Sequence, residues 1–194
     1  YFSKPVMPSD VVWTYSGVRP LYDDGASKAQ EATRDYVLKV EGNAGEGAVL
    51  NIFGGKITTY RRLSEHVVEK IESVIGKKGP GWTSGATLPG GDFPATGYNE
   101  EVRKLQSDFP FLKTAQAARL IRLYGTRAWL VLKDAKFAAD LGPSFGPDLT
   151  KSEIDYLVKH EWARTADDIL WRRTKAGLGM DKAAQAALGA YLEM

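Results

Sequence analysis

The 194-residue sequence contains no cysteine and only two histidines, His66 and His160. Without cysteine, these residues can form no disulfide bond, no thiolate metal site and no cysteine nucleophile, which suits a cytosolic setting. The two histidines lie far apart in the sequence, so a histidine-rich metal site is not expected. We therefore predict no metal ligands. His66 falls beside the apolar stripe of its helix and is interpreted as structural or surface, and His160 is interpreted as a packed or hydrogen-bonded side chain.

A large excess of one charge is also missing, since 26 Lys and Arg residues face 24 Asp and Glu and leave a formal net charge of +2. Nonspecific binding to nucleic acid needs a stronger basic surplus, so no nucleic-acid partner is expected. No apolar run approaches the length of a membrane span. The chain opens with YFSKPVMPSD and no initiator Met, and we expect it to be a piece of a longer protein.

The first 80 residues combine β-forming stretches with glycine-rich turns. Residues 11–18, VVWTYSGV, are rich in β-forming residues and predict an extended strand. Residues 36–53 predict a β-hairpin, because TRDYVLKVEG alternates apolar and polar side chains and AVLNIF follows the loop GNAGEG. A helix with a regular apolar stripe comes next. The stripe consists of Tyr60, Leu63, Val67, Ile71 and Val74.

Glycine and proline accumulate over residues 81–97, which predicts a linker. Beyond it the apolar spacing is helical, with a capping box TKSE at 150–153 and N-caps at Thr165 and Asp181. The predicted fold is therefore α+β over residues 1–80, with a β-hairpin, strands and one long helix, followed by an all-α helical domain of about six helices over residues 98–194. Three tryptophans, Trp129, Trp162 and Trp171, are assigned to the core of this domain.

The segment NIFGGKITTYRRLSEHVVEKI, residues 51–71, has the features of an anion-binding turn. Gly54 and Gly55 let a ligand approach the backbone, and Lys56 and the free N–H groups of a helix N-terminus follow. The segment is not a P-loop, because Leu50 and Ile57 stand where that motif needs glycine and Ser or Thr. Arg61 and Arg62 occupy the first helical turn, where acidic residues are favoured. A plain strand-to-helix turn, with the arginines paired to carboxylates, is the alternative.

Two further arginines bear on the choice. Arg34 shares strand parity with the apolar face of the hairpin, and an arginine there cannot lose its charge. Arg19 ends an extended segment in the turn SGVRP. A structural ion pair is the alternative for each, with the neighbouring aspartates as candidates, and Arg34 taken alone favours it. Together with Lys56 they make a small phosphate or carboxylate a serious rival, since guanidinium groups bind such oxyanions bidentately.

Several stretches resemble the C-terminal part of FAD-dependent glycerol-3-phosphate dehydrogenases of the aerobic respiratory type. They are WTYSGVRPL, TRDY, FGGKITTYR, LPGG, FPFL and YLVKHEWARTADDILWRRTKAG, in the family's order and with compatible spacing. That family begins with a Rossmann-like FAD-binding domain that carries a glycine-rich fingerprint, and no G-x-G-x-x-G follows a strand in this chain. The resemblance thus implies a fragment that combines the last portion of the flavin and substrate region with the helical C-terminal domain.

The resemblance also implies an activity. Family enzymes oxidise sn-glycerol 3-phosphate to dihydroxyacetone phosphate, passing a hydride to FAD and electrons onward to quinone. Arg19, Arg34 and Lys56 match positions of the substrate pocket. The cofactor-binding positions would be Gly54, Gly55, Lys56, Ile57 and Thr58, beside the flavin ring. No catalytic base is identified within the chain, and the fragment alone is expected to be inactive and not to bind FAD.

Other partners and functions stay open. The resemblance favours a cytoplasmic protein, and both a peripheral contact with the cytoplasmic face of the inner membrane and a homodimer are compatible with it. A basic cluster in the helical domain is a candidate contact for acidic lipid headgroups, a solvated face paired with Asp167 and Asp168 being the alternative. The cluster consists of Arg164, Arg172, Arg173 and Lys175. Two other functions remain: a helical interaction or membrane-docking module without catalysis, and a related flavin oxidase that acts on another small anionic substrate.

Overall fold

The computed structural model describes residues 3–18, 21–23, 25, 35–43 and 45–193. The chain divides into two compact units, one comprising Thr14–Ala86 and the other comprising Thr87–Met194 together with Tyr1–Trp13. The predicted division into residues 1–80, 81–97 and 98–194 stays a prediction of the sequence.

The unit Thr14–Ala86 is built on the predicted hairpin, which is confirmed. Strands β1 (Val37–Asn43) and β2 (Gly47–Phe53) pair antiparallel, with Val37 opposite Phe53 and Asn43 opposite Gly47. Near the tip, Gly42 has a φ of 93°, and a Cβ there would lie 2.3 Å from the carbonyl oxygen of Gly47. The alternating side chains of the strands and this glycine therefore fix the hairpin together.

Helix α1 (Tyr60–Ile75) follows the hairpin, after a short 3-10 turn at Ile57–Thr59. Its predicted stripe is half covered: Leu63, Val67 and Val74 are half-buried, whereas Tyr60 and Ile71 are 46% and 42% exposed. No described residue of this unit is fully buried.

Residues 11–18 form no strand, in contrast to the sequence expectation. Residues with β-forming side chains disfavour a helix, but a strand also needs a neighbouring strand that shares its backbone hydrogen bonds. Within the described part of the chain, the sheet consists of β1 and β2 alone.

The second unit is helical and contains the core. Its helices are α2 (Tyr98–Asp108), α3 (Thr114–Tyr124), α4 (Ala128–Leu132), α5 (Lys151–His160) and α6 (Lys182–Leu192), with a π-helix at Asp168–Arg173. Short 3-10 turns connect them at Gly125–Arg127, Ala138–Leu141 and Ala176–Gly179. The fully buried side chains come from several of these helices and form one cluster. The largest are Leu105, Leu149, Ile154, Leu157, Ile169 and Leu188.

The predicted helix starts are found close to their places, with one change of helix type. Thr165 and Asp168 bond reciprocally, since the Asp168 N–H donates to Thr165 Oγ1 at 3.2 Å and the Thr165 N–H donates to Asp168 Oδ2 at 3.0 Å. The helix that follows this cap is of π type. Asp181 caps α6 by accepting from the Ala184 N–H at 2.8 Å.

The assignment of Trp162 to the core is wrong. Its side chain is 78% exposed and its φ is 58°, a left-handed conformation that turns the chain sharply after α5. Trp129 is half-buried and donates from Nε1 to Asp108 at 2.8 Å. Trp171 is half-buried and stacks on Trp13, with ring centroids 5.5 Å apart.

Candidate functional site

The turn between β2 and α1 contains two glycines, so two successive residues have no side chain. Gly54 and Gly55 have φ values of 70° and 108°, which side-chain-bearing residues rarely adopt. A Cβ added to Gly55 would lie 3.4 Å from Leu63 Cδ2 and 3.9 Å from the Cβ of Tyr36. The end of the hairpin, the glycine pair and the start of α1 thus converge at one point.

Lys56, Ile57 and Thr58 form the exposed surface of this turn. The first hydrogen bond of the turn runs from the Thr59 N–H to the Lys56 carbonyl at 3.0 Å, so the N–H groups of Ile57 and Thr58 precede it. The first turn of α1 carries no acidic residue. In the described part of the chain, Lys56 has no carboxylate partner. The turn therefore combines one unpaired positive charge with backbone N–H groups that precede the first hydrogen bond, and both can attract an anion.

Arg61 and Arg62 do not contribute to that surface, because both are paired within their own helix. Their Nη1 atoms lie 2.8 and 2.9 Å from the carboxylate of Glu65. The Thr83 hydroxyl also donates to this carboxylate. The hydrogen bond from Thr83 and the charges of the two arginines lower the pKa of Glu65. For these two arginines the carboxylate-pairing alternative is the one observed.

His66 has a structural position. Its Nδ1 forms a hydrogen bond with the hydroxyl of Tyr36, and the two rings meet edge to face with centroids 5.7 Å apart. This contact joins α1 to the residue just before β1.

Arg19 and Arg34 lie outside the described residues, and their predicted roles remain predictions. Residues close to each in sequence are described. The ring of Tyr22 lies 5.2 Å from that of Phe53, the last residue of β2. Tyr36 lies beside Gly55, as noted above. Among the described residues, no three His, Cys, Asp or Glu side chains are grouped so that they could hold a metal ion.

The helical unit contains a buried polar network that the sequence analysis missed. Arg119 donates to both carboxylate oxygens of Glu153, at 2.8 and 2.6 Å, and to the carbonyl of Asp148 at 2.6 Å. Tyr124 donates its hydroxyl to Glu153 at 2.6 Å. Burial and the negative charge of Glu153 raise the pKa of Tyr124. The sequence feature that could have revealed Arg119 is a charged side chain within the otherwise apolar helical segment AARLIRLY. Glu153 was interpreted only as part of a capping box.

A family model described as the C-terminal domain of alpha-glycerophosphate oxidase matches residues 82–194. The aerobic glycerol-3-phosphate dehydrogenase of Escherichia coli (strain K12) is 42% identical over 192 residues, which cover 99% of this chain and 38% of that protein. The glycerol-3-phosphate dehydrogenase of Pseudomonas aeruginosa is 40% identical over 193 residues, covering 100% of this chain and 38% of the relative.

A third relative carries a different name. The D-erythritol 1-phosphate dehydrogenase of Brucella abortus is 40% identical over 187 residues, covering 96% of this chain and 37% of that protein. The chain therefore spans well under half the length of these curated relatives. In the described residues, every helix is too short or too polar to cross a membrane. Because this family model matches more than half of the chain, the chain belongs to the family described as the C-terminal domain of alpha-glycerophosphate oxidase, with residues 82–194 matched.

Proposed function

We propose that these residues serve, within a longer protein, an FAD-dependent glycerol-3-phosphate dehydrogenase that oxidises sn-glycerol 3-phosphate to dihydroxyacetone phosphate. The observation that carries the proposal is the exposed turn Lys56–Thr58, which follows two glycines of positive φ and has no acidic residue. The names of the relatives support the substrate.

The turn fits one end of a flavin ring. When bound, FAD would supply the acceptor for a hydride from C2 of the substrate, with a quinone as the final electron acceptor. Gly54 and Gly55 leave the backbone bare, so a planar ring can come close. The N–H groups of Ile57 and Thr58 and the positive end of α1 attract negative charge at the pyrimidine carbonyl, and Lys56 adds a full positive charge.

The substrate phosphate is assigned to Arg19, Arg34 and Lys56. Arg19 is three residues before Tyr22, and Arg34 is two residues before Tyr36. Tyr22 packs on Phe53 at the end of β2, and Tyr36 lies beside Gly55. A site that combines two arginines with a lysine would favour a phosphate over a single carboxylate, which one arginine usually binds.

The substituted enzyme tests this assignment. In a full-length enzyme that contains this sequence, Arg34→Ala should raise the KM for glycerol 3-phosphate about 10- to 100-fold while FAD content stays normal, because charge-assisted hydrogen bonds to phosphate are lost. Arg61→Ala is the matched control, since Arg61 is paired with Glu65, and its KM should not change. Loss of FAD with an unchanged KM would instead give Arg34 a cofactor or structural role.

A titration with FAD tests the expectation that the isolated chain does not bind the cofactor. The purified 194-residue chain should show no flavin absorbance and no binding, because it lacks a glycine-rich nucleotide-binding fingerprint. Tight stoichiometric binding would mean that these residues hold a self-sufficient flavin site.

A second substrate is favoured by one comparison. The chain is 40% identical both to a glycerol-3-phosphate dehydrogenase and to a D-erythritol 1-phosphate dehydrogenase, so identity does not separate the two polyol phosphates. Competition between the two polyol phosphates decides which is the substrate. The rate of flavin reduction in the full-length enzyme is the measured quantity. Faster reduction by an amino acid or a 2-hydroxy acid would contradict both and support a related flavin oxidase.

Location and assembly belong to the same proposal. A cytoplasmic enzyme that delivers electrons to quinone has to reach the inner membrane, so we include a peripheral contact with its cytoplasmic face. A flotation assay with anionic vesicles tests this contact, and sedimentation equilibrium tests the homodimer. A protein that floats but never reduces flavin would support the membrane-docking alternative.

A further inference from the structure

A groove of about 710 Å³ lies entirely within the helical unit. It runs between α3 and the turn that follows the π-helix, with the loop 147–149 at one end. We call it the cationic groove. Its charged lining residues are Arg119, Arg122, Asp148, Arg172, Arg173 and Lys175.

The lining of the cationic groove is apolar with a positive rim. Five of the lining residues are Arg or Lys, and the one acidic residue is Asp148. The floor includes Leu149 and Met180, which belong to the core and are 1% and 8% exposed. A volume of this size is within the range of small-molecule sites, which combine an apolar lining with a few polar groups.

Three of the cations are held in place without being neutralised. Arg173 donates from Nε to the carbonyl of Glu161 at 2.6 Å, which leaves its two terminal nitrogens available. Lys175 contacts the carbonyl of Trp171 and lies 4.5 Å from the ring centroid of Trp13. Arg122 lies 5.8 Å from the ring centroid of Tyr98.

Carbonyl oxygens and aromatic rings orient a cation but leave its net charge in place. In the described part of the chain, none of these three cations has a carboxylate partner. The other two cations of the rim differ in this respect. Arg119 is paired with Glu153, and Arg172 with Asp168 at 2.9 Å.

A second feature of the groove is an incomplete hydrogen-bond set. The Nε atom of Arg119 is buried and has no partner among the described residues. A buried donor without a partner is uncommon in folded proteins.

We propose that the cationic groove binds a small organic phosphate, in which an ester oxygen carries an apolar body. The phosphate group meets Arg122, Arg173 and Lys175, and the apolar body lies on the floor between α3 and Met180. A carboxylate has too few oxygens for three separate cations, whereas a phosphate monoester presents three acceptor oxygens and close to two negative charges.

Calorimetric titration of the 194-residue chain with 1-naphthyl phosphate tests the proposal. We expect binding that weakens about tenfold or more when salt is raised from about 0.05 M to about 0.5 M. Inorganic phosphate lacks the apolar body and 1-naphthol lacks the charge, so each should bind at least about tenfold more weakly. Equal binding of either one overturns the proposal, as does preferential binding of glycerol 3-phosphate.

Two variants test the location. Arg173→Gln with Lys175→Gln removes two rim charges and should weaken 1-naphthyl phosphate by about tenfold or more. The matched control is Arg103→Gln with Lys159→Gln, which removes the same charge from exposed positions outside the groove and should leave binding within about twofold. Equal weakening by the control would show a diffuse electrostatic effect and overturn the site.

A third variant keeps every charge. Ala115 is exposed at the rim, and Ala115→Trp should fill the groove and abolish binding while thermal unfolding stays unchanged. This variant separates loss of the site from loss of the fold if the double variant is unstable.

Other occupants of the groove would appear as defined results. If the full-length protein fails to bind 1-naphthyl phosphate while the chain binds it, the rest of the protein covers the groove. If the chain dimerises and the probe dissociates the dimer, a second copy covers it. If only phosphatidic acid vesicles bind and the soluble ester does not, the occupant is a membrane surface. Each of these results overturns the proposal, whose failure would leave the assignment of Arg19, Arg34 and Lys56 untouched.

Discussion

Glu153 brings a negative charge into the core of the helical unit. Its side chain is 1% exposed, and it accepts hydrogen bonds from Arg119 and Tyr124. Removing one member of such a buried pair costs more than the pair contributes, because the other charge is left without compensation. The network therefore constrains how α3 and α5 pack.

We predict that Glu153→Gln lowers the free energy of unfolding by about 3 kcal/mol, because Arg119 loses its counter-charge in a partly buried position. Urea denaturation measures the change. Glu100→Gln is the control: this carboxylate is 62% exposed and 3.3 Å from Lys104, and the expected loss is below about 0.5 kcal/mol. Equal losses for the two variants would contradict a buried ion pair.

Asp168 shows how a cap makes stability depend on pH. Backbone N–H groups of Arg164 and Thr165 donate to its carboxylate and lower its pKa to about 2, from an ordinary value of 3.8. A pKa lowered in the folded state adds stability that is complete above the unfolded value. That stability is lost as the pH falls from about 4 to about 2.

We therefore predict that Asp168→Asn flattens the fall in unfolding free energy over this acidic range. Measurements of urea midpoints at several pH values check the slope. Asp167→Asn is the matched control, since the exposed Asp167 side chain accepts no hydrogen bond in the described part of the chain. An unchanged slope in Asp168→Asn would contradict the role of the cap.

At the scale of elements, the end of α3 is closed by two glycines in contact. Gly125 has a φ of 55°, and a Cβ there would lie 1.8 Å from the carbonyl oxygen of Gly90. That carbonyl accepts from the Thr126 N–H at 3.0 Å. Gly90 of the predicted linker is thus packed against the end of α3.

Gly125→Ala should destabilise the chain by about 2 kcal/mol or more, since the Cβ would be strained and would overlap backbone. Thermal or urea unfolding measures this loss. Gly79→Ala should change stability by less than about 0.5 kcal/mol, because nothing lies within 4 Å of its Cβ position. A small effect at Gly125 would mean that the loop moves away easily.

The cap rules show what local sequence can and cannot predict for elements. Thr150 and Asp181 both stand at the starts of helices, as predicted, yet Asp181 accepts a capping hydrogen bond and Thr150 does not. The same rules placed the start of the segment after Thr165, but its π geometry was not foreseen. A start depends on one or two side chains, whereas the helix type also depends on packing along the whole segment.

At the scale of the whole molecule, burial is uneven. All of the fully buried core residues lie between Val102 and Leu188, in the helical unit. The hairpin and α1 leave large side chains exposed, among them Val49 at 60% and Ile75 at 57%. Local stability follows buried apolar contact, so the two units differ in the energy needed to open them.

We predict that hydrogen exchange measured by mass spectrometry separates the two units. Amides of α3 and α5 should exchange at least about tenfold more slowly than those of α1 and the hairpin, because opening the helical core exposes far more apolar surface. Peptides from α2 and α1, which have the same kind of secondary structure, make the fairest comparison. Equal protection would contradict the uneven burial.

The sequence alone determined the hairpin, α1, most helices of the second half and the glycine turn that leads into α1. These features depend on neighbours a few residues apart: alternation, helical spacing, caps and glycines of positive φ. Tertiary structure decided that Trp162 is exposed, that Glu153 is buried beside Arg119, and that the rim of the cationic groove gathers Arg122, Arg173 and Lys175. Such features join residues distant in sequence, or choose between partners of equal chemistry, and only packing of the whole chain fixes them.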